Sequence, residues 1–134
     1  MHWAAQYIGI KFRYGGQTLE TGFDCWGLFR YVQKRHFSRQ LAEIKLIEYQ
    51  PQAIENEFNT NPELGNWYQV DEPENGDGVL MSTAKCPKHV GVWISDGETV
   101  GILHAVDGYG VIFTSRQNLM RSGWKILNYY RYKK

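Results

Sequence analysis

The sequence predicts an α+β fold in which N-terminal helices pack on a C-terminal antiparallel β-sheet. Helical periodicity occurs only in the first half of the chain, and runs typical of strands occur only after residue 78. The turn-rich segment DEPENGDG (71–78) separates these two parts. Because short turns join most of the strand-like runs, neighbouring strands should be antiparallel. The 134 residues are enough for one domain, 1–134, with its own core.

Two segments near the N-terminus are predicted to be helical. The stretch HWAAQYI (2–8) has a short helical pattern that ends at Gly9. A longer helix should begin at Asp24, a residue type that commonly caps helix N-termini. The apolar residues that follow have the spacing of one helical face, namely Cys25, Leu28, Phe29 and Val32.

Residues 38–75 carry no motif that indicates a chemical role. Isoleucines and glutamates between 41 and 58 suggest helix, Pro51 interrupts the pattern, and 59–67 has the composition of a loop. We interpret 38–75 as a variable insertion within the single domain, one that shapes a wall of any cleft.

The C-terminal half contains five runs rich in β-branched and aromatic residues. The dipeptide at 96–97 and the tetrapeptide DGYG at 107–110 are typical of hairpin turns. The predicted strands are VLMS (79–82), HVGVWIS (89–95), VGILHAV (100–106), GVIFT (110–114) and KILNYYRY (125–132).

Composition argues against several classes of protein. A formal net charge of +1 provides no basic face for nucleic acid, and no run approaches the roughly 20 apolar residues of a membrane span. The N-terminal stretch MHWAAQYIGIKF lacks the features of a signal peptide, so we expect synthesis in the cytoplasm without export. Two cysteines in such a chain argue against a disulfide framework. Nothing in the sequence suggests a cofactor.

Cys25 is the first candidate for chemistry, since it follows the predicted helix cap. The partial positive charge of a helix N-terminus favours the thiolate, which is the nucleophilic form of cysteine. The negative charge of Asp24 acts in the opposite direction, so a cationic partner would help. The alternative is a buried cysteine that only packs, the commonest role of a lone cysteine.

His89 and His104 are the second and third candidates, because both lie in predicted strands of one sheet. Strand alternation places His89 on the same face as Gly91 and Trp93, opposite Val90 and Val92. We expect the Cys25 helix to cover the histidine face. A thiol, a histidine base and a polar group that orients the base make an activated nucleophile. The alternative is two hydrogen-bonded core histidines.

The blocks YGG, GFDCWGL, GDGVLM, HVGVWI and ILHAV, in this order, resemble the NlpC family of cell-wall cysteine peptidases. The resemblance covers about residues 3–130 and implies a papain-like α+β fold. It implies Cys25 as nucleophile, His89 as general base and His104 as the residue that orients His89. It also implies that the Cys25 N–H helps to hold the oxyanion. The family's G-D pair falls on Gly76 and Asp77, and we interpret Asp77 as a turn residue rather than a catalytic acid.

One position departs from the family pattern. Many members carry a tyrosine, thought to support the oxyanion, at the position that Phe12 occupies here. Three explanations stay open: Tyr14 substitutes for it, another group donates, or the enzyme is slow. The D-C-W-G-L variant and the missing export signal resemble the phage-tail branch of the family, which implies delivery by a virion and possible phage tail partners.

Several residues have two interpretations. Asp24 caps the helix or binds the free amine of a short stem peptide; Trp26, Trp67 and Trp93 line the cleft or fill the core. Cys86 could join Cys25 and the two histidines in a zinc site, or form a disulfide with Cys25. We favour neither for Cys86, and we predict no metal.

The leading hypothesis is a cysteine peptidase that hydrolyses an amide in peptidoglycan stem peptides, most simply the γ-D-glutamyl–diamino acid bond. The substrate contacts would come from Asp24, Tyr14 and Trp26. A second hypothesis is a catalytically weak or inactive tail-assembly or binding module on the same fold, which Phe12 favours. A third is a related thiol amidase or acyltransferase.

Overall fold

The computed structural model describes residues 2–41, 67–84, 89–119 and 121–133. The chain begins with a 3₁₀ helix at Trp3–Tyr7, followed by a small hairpin of β1 (Gln17–Thr18) and β2 (Gly22–Phe23) and by helix α1 (Cys25–Phe37). Six further strands follow, with a 3₁₀ turn at Arg116–Asn118: β3 (Trp67–Val70), β4 (Gly78–Ser82), β5 (His89–Asp96), β6 (Thr99–Val106), β7 (Gly110–Ser115) and β8 (Lys125–Tyr132). None of the helices in these ranges has the length and apolar character needed to cross a membrane.

These six strands form one antiparallel sheet in the order β3-β8-β4-β5-β6-β7. Strands β4 to β7 are consecutive neighbours, and β8 returns to insert between β3 and β4. The turns at Gly97–Glu98 and Asp107–Tyr109 join β5 to β6 and β6 to β7, next to or within the predicted turns at 96–97 and 107–110. The α+β prediction and the papain-like class are therefore confirmed.

Helix α1 follows from its capping residue and its apolar face. The Asp24 side chain accepts a hydrogen bond from the backbone N–H of Gly27, which satisfies one of the first-turn donors of the helix. The basic residues Lys34, Arg35 and His36 lie in the last turn, where cations complement the helix dipole. The buried face carries the predicted apolar positions, including Leu28, Phe29 and Val32.

The sheet is buried on both faces, and α1 covers a different face from the one we expected. The larger core cluster joins α1 residues, such as Cys25 and Phe29, to Val90 and Val92 of β5. Trp93, which alternates with these valines, belongs to a second cluster on the opposite face. The expectation that the helix covers the His89 side of the sheet was therefore wrong. The error arose because the sequence offers no second helix for that side, although side chains from β8 and its preceding loop cover it.

Three strands were not predicted. β1 and β2 are too short to leave a periodic pattern, and β3 lies within 38–75, the stretch interpreted as an insertion. β3 pairs with β8 along its whole length, and its first residue, Trp67, lies in the main core. The end of that stretch is therefore part of the sheet. Residues 42–66, on which the other predictions for this stretch fall, lie outside the described residues.

Asp77 has a structural role at the turn before β4. Its buried carboxylate accepts hydrogen bonds from the Glu74 N–H, at 2.7 Å, and from the Arg131 guanidinium, at 2.9 Å. Its backbone carbonyl accepts from Trp93 N–H at 2.8 Å. These contacts join the turn to β5 and β8, which confirms the interpretation of Asp77 as a turn residue.

Gly27 in the first turn of α1 allows the chain before the helix to pack directly against it. A Cβ atom at Gly27 would collide with the backbone carbonyl oxygen of Gly16. That carbonyl accepts a hydrogen bond from the Asp24 N–H at 3.3 Å. The glycine of the D-C-W-G run is thus needed for the close approach of the YGG turn to the helix.

We expect Gly27→Ala to destabilise the protein by about 1–3 kcal/mol, the usual effect of forcing extra volume into a packed site. The sign of the change in the free energy of unfolding is informative, because Gly→Ala inside a helix normally stabilises a protein by about 1 kcal/mol. Urea denaturation of the variant measures the change. Lys34→Ala, at an exposed position of α1, is the control and should change the free energy of unfolding by less than about 0.5 kcal/mol. A gain in stability for Gly27→Ala would contradict the close packing.

Candidate active site

Asp24 joins the YGG turn to the start of α1. One carboxylate oxygen accepts a hydrogen bond from Gly27 N–H at 2.7 Å, and the other accepts from Gly15 N–H at 2.8 Å. Burial raises the pKa of this carboxyl, and the two backbone N–H groups oppose that rise. The side chain is 1% exposed. Of the two interpretations for Asp24, the structure shows the helix cap, and a substrate amine would have to displace these bonds.

Cys25 is the first residue of α1 and is buried in the main core cluster. Its helix packs against β5 and β6, the two strands that carry His89 and His104. The position is therefore the one predicted for an activated thiol, at the positive end of the helix dipole. The Nε2 atom of His89 is hydrogen-bonded to His104.

The two histidines form a hydrogen-bonded chain with a third side chain, Thr114 of β7. His89 Nε2 lies 2.9 Å from His104 Nδ1, and His104 Nε2 lies 2.8 Å from the Thr114 hydroxyl. All three side chains are buried. The chain crosses three neighbouring strands, β5, β6 and β7, so the sheet itself sets the spacing of its members.

The hydrogen-bond chain restricts the position of each proton. A neutral imidazole has one N–H donor and one acceptor nitrogen. If His89 donates from Nε2 to His104, then His104 must carry its own proton on Nε2 and donate it to Thr114. This assignment leaves a lone pair on Nδ1 of His89, which a general base requires. The opposite direction would protonate Nδ1 of His89 and block it.

Burial keeps both rings neutral. Loss of solvation lowers the pKa of His104 to about 3. Loss of solvation also lowers the pKa of His89 well below its ordinary value, and the neighbouring His104 ring adds to this effect. The pair therefore remains uncharged throughout the neutral pH range, as the hydrogen-bond chain requires.

Trp124, just before β8, holds the His89 ring from one side. The two rings are stacked at 4.5 Å between centroids, and the same indole meets His104 edge-on at 5.4 Å. Sequence reasoning missed both Trp124 and Thr114. Thr114 was within a predicted strand next to that of His104, and its hydroxyl among apolar residues was the available signal; Trp124 offered none.

A cleft of about 940 Å³ opens beside the hydrogen-bonded row of His89, His104 and Thr114. Thr114 and Trp124 line one part of it, and the β6–β7 turn, with Asp107 and Tyr109, lines another. Tyr14 of the YGG turn also lines the cleft, and its hydroxyl donates to Asp107 at 3.5 Å. The candidate residue Tyr14 is thus placed where a bound molecule would meet it.

The remaining candidates lie away from the cleft or outside the described residues. Trp26 is fully buried and packs against Phe29 at 5.3 Å. Core packing, not substrate contact, therefore describes Trp26, and the same holds for Trp67 and Trp93, which are 3% and 4% exposed. Cys86 lies outside the described residues, so its zinc and disulfide alternatives stay open. Within the described ranges, no three His, Cys, Asp or Glu side chains are grouped to hold a metal ion.

Phe12, the position that departs from the family pattern, lies against Tyr14 edge-on at 5.0 Å. Its backbone bridges to Phe23 of β2. The Phe12 ring therefore packs against Tyr14, and it has no hydroxyl to donate.

Comparisons with known proteins agree with the resemblance. The model of the NlpC/P60 family matches residues 9–126. The chain is 30% identical over 116 residues to the gamma-DL-glutamyl hydrolase of Bacillus subtilis, covering 84% of this chain and 24% of that protein. It is 28% identical over 111 residues to the murein DD-endopeptidase MepS/murein LD-carboxypeptidase of Escherichia coli K12, covering 83% and 50%. The chain thus spans half or less of the length of these relatives.

Solved structures share the fold. The NlpC/p60 domain of the peptidoglycan hydrolase SagA superposes with a TM-score of 0.59 at 23% identity, covering 96% of this chain and 92% of that one. An NLP/P60-family protein of Staphylococcus aureus gives the same TM-score at 19% identity, covering 98% of this chain and 39% of that one.

We expect the protein to lose stability as the pH falls below about 6.5, the ordinary pKa of histidine. In this range the unfolded chain takes up protons on both histidines, while the folded pair stays neutral. The unfolded state then binds more protons, so acid favours it. The loss should be about 3–4 kcal/mol between pH 7 and pH 5, measured by urea denaturation at each pH.

His104→Gln is the matched variant for this measurement. The variant removes one of the two titrating rings. The difference in the free energy of unfolding between pH 7 and pH 5 should therefore fall by about half, whatever the stability of the variant at pH 7. Equal free energies of unfolding at pH 7 and pH 5 in the unaltered protein would show that the pair is not buried in the neutral state.

Proposed function

Because this chain belongs to the NlpC/P60 family, we propose that it is a cysteine peptidase that hydrolyses an amide bond in the stem peptides of peptidoglycan. Peptidoglycan acts as its partner, and no cofactor enters the reaction. The single observation that carries the proposal is the buried chain of His89, His104 and Thr114, whose Thr114 lines a cleft together with Tyr14 of the YGG turn.

The arrangement supports a division of roles among three residues. Cys25, at the helix N-terminus, is the nucleophile; His89 is the general base; and His104 orients His89 through the 2.9 Å hydrogen bond. Thr114 extends this orientation by holding the second nitrogen of His104. Each buried ring nitrogen of His104 therefore has a partner, and the chain leaves Nδ1 of His89 to accept a proton.

The reaction follows from these roles. His89 takes the thiol proton as the Cys25 sulfur attacks the amide carbonyl carbon, which gives a tetrahedral oxyanion. The C–N bond then breaks, the leaving amine receives the proton from His89, and a thioester remains on Cys25. Water, deprotonated by His89, hydrolyses the thioester and restores the thiol. The first step requires the thiol to reach Nδ1 of His89, so the proposal demands that Cys25, at the start of a helix packed on the opposite face of β5, approaches this ring when substrate binds.

The bond that we propose is the γ-D-glutamyl–diamino acid bond. This assignment rests on the family resemblance of the sequence motifs and agrees with the name of one relative, a gamma-DL-glutamyl hydrolase. The other relative is named as a DD-endopeptidase and LD-carboxypeptidase of murein.

Phe12 favours a second candidate function, a weak or inactive binding module on the same fold. By the resemblance, Phe12 stands at the position where many family members carry a tyrosine thought to support the oxyanion, and loss of one such donor costs on the order of a hundredfold in rate. The packing of α1 on the Val90 and Val92 face of β5, opposite the face that carries His89, points the same way. Delivery by a phage tail, with tail proteins as partners, and a related amidase or acyltransferase activity stay predictions from the sequence.

Muropeptides incubated with the reduced protein should yield fragments cut within the stem peptide, detected by mass spectrometry. Cys25→Ala should give none, because it removes the nucleophile. Fragments ending in D-glutamate would identify the proposed bond. Cleavage that persists in Cys25→Ala would refute the thiol mechanism, and no cleavage by either protein would favour the binding module.

We expect Thr114→Val to lower kcat/KM about tenfold, because one lost hydrogen bond to His104 corresponds to about 1.4 kcal/mol in the orientation of the base. Valine has nearly the same shape, so packing changes little. Thr114→Ser keeps the hydroxyl and should restore most of the rate. Equal rates for the valine and serine variants would show that the hydroxyl does not position His104.

A further inference from the structure

The β6–β7 turn presents the charged group of the cleft. Among the described residues that line the cleft, Asp107 is the only one with a charge; the others are aromatic, aliphatic, hydroxyl-bearing or glycine. Asp107 is exposed, and one of its carboxylate oxygens accepts the long hydrogen bond, 3.5 Å, from the Tyr14 hydroxyl. The other oxygen has no partner among the described residues. A negative group is therefore available to a bound molecule.

Aromatic rings lie on this part of the cleft as well. Tyr109, two residues after Asp107, is 77% exposed, the largest exposure among the large hydrophobic side chains of the described residues. Tyr14 and Trp124 line the same cleft. A carboxylate among aromatic rings is a favourable environment for an ammonium group, since the rings attract a cation through their faces.

The turn is held firmly in place rather than left as a loose loop. Gly9 N–H donates to the Val111 carbonyl at 3.0 Å, and Val111 N–H donates to the Ile10 carbonyl at 2.8 Å. A Cβ at Gly110 would collide with that same Ile10 carbonyl, so glycine is needed for the approach. These bonds fix the β6–β7 turn against the segment that leads to Tyr14, which sets the separation of Tyr14 and Asp107.

The β6–β7 turn is also close in sequence to two members of the hydrogen-bonded row, His104 and Thr114. Asp107 follows His104 by three residues at the end of β6, and Val106 between them lines the cleft. Thr114, at the other end of β7, lines the cleft too and bonds to His104. Asp107 and the threonine that orients His104 therefore line the same cleft.

We propose that Asp107, with Tyr14 and Tyr109, forms a subsite for a primary ammonium group of the stem peptide. This inference rests on the proposed function, because it names what that same cleft selects. A stem peptide offers two such groups, the N-terminal amine and the side-chain amine of its diamino acid. The chemistry of the subsite is the same for both, and the experiment below distinguishes them.

The test uses four versions of the peptide L-Ala-γ-D-Glu-L-Lys, in which each of the two amines is either free or acetylated. For the unaltered protein, acetylation of the amine that Asp107 binds should lower kcat/KM about tenfold, the effect of one charge-assisted hydrogen bond in a partly exposed site. In Asp107→Asn the ratio between free and acetylated peptides should fall to about one. Asp71→Asn removes an equal charge at an exposed position after β3 and should keep the tenfold ratio.

The ratio is measured within each variant, so a difference in the folded fraction does not affect it. The amine whose acetylation matters identifies the ligand. No effect of either acetylation in the unaltered protein would overturn the inference, as would a tenfold ratio that survives in Asp107→Asn.

A separate measurement covers failure of the proposed function. If the unaltered protein cleaves none of the four peptides, their binding to Cys25→Ala is measured by calorimetry, with and without Asp107→Asn. Binding that depends on one free amine and on Asp107 would support the subsite although the peptidase proposal had failed. Binding that does not depend on an amine, or no binding, would overturn the subsite.

Discussion

The Asp24 carboxylate is the contact on which the geometry of the site depends. Its two oxygens bind backbone N–H groups from two places, Gly15 in the YGG turn and Gly27 in the helix. The same side chain thus caps α1 and holds the preceding turn against the helix. The positions of Cys25 and Tyr14 relative to each other are fixed as a result. Gly27 is required by this contact, because a Cβ there would collide with the Gly16 carbonyl. Asp24, which the sequence also offered as a ligand for a substrate amine, is therefore first of all a structural residue.

The sheet fixes the other half of the site by burying polar side chains in a row across β5, β6 and β7. Burial of a polar group is unfavourable unless it is hydrogen-bonded, and His104 satisfies this condition through His89 and Thr114. Trp124 then covers both rings. Gly91 permits the row, because a side chain there would collide with Ile102 and crowd His104. The glycine of the H-V-G run is thus explained by packing next to the histidines.

Sequence reasoning succeeded where a local pattern determines structure and failed where distant parts meet. Helix α1, its Asp24 cap and the hairpins were predictable, because capping, periodicity and turn residues are local signals. The strand β3 and the contact of Trp124 with His89 were not, since each depends on β8 or the loop before it, far along the chain. The face that α1 covers was predicted wrongly because alternation separates two faces without showing which one a helix covers.

The low pKa of the buried histidine pair constrains how the proposed mechanism proceeds. Burial disfavours the imidazolium form of His89, and the neutral His104 ring supplies no compensating charge. A proton on His89 becomes favourable only when a negative charge forms close to it, on the Cys25 sulfur or on the oxyanion of the bound substrate. Proton transfer is therefore coupled to attack on the carbonyl, rather than completed beforehand. The substrate, by entering the cleft and bringing that developing charge, is then part of what activates the base.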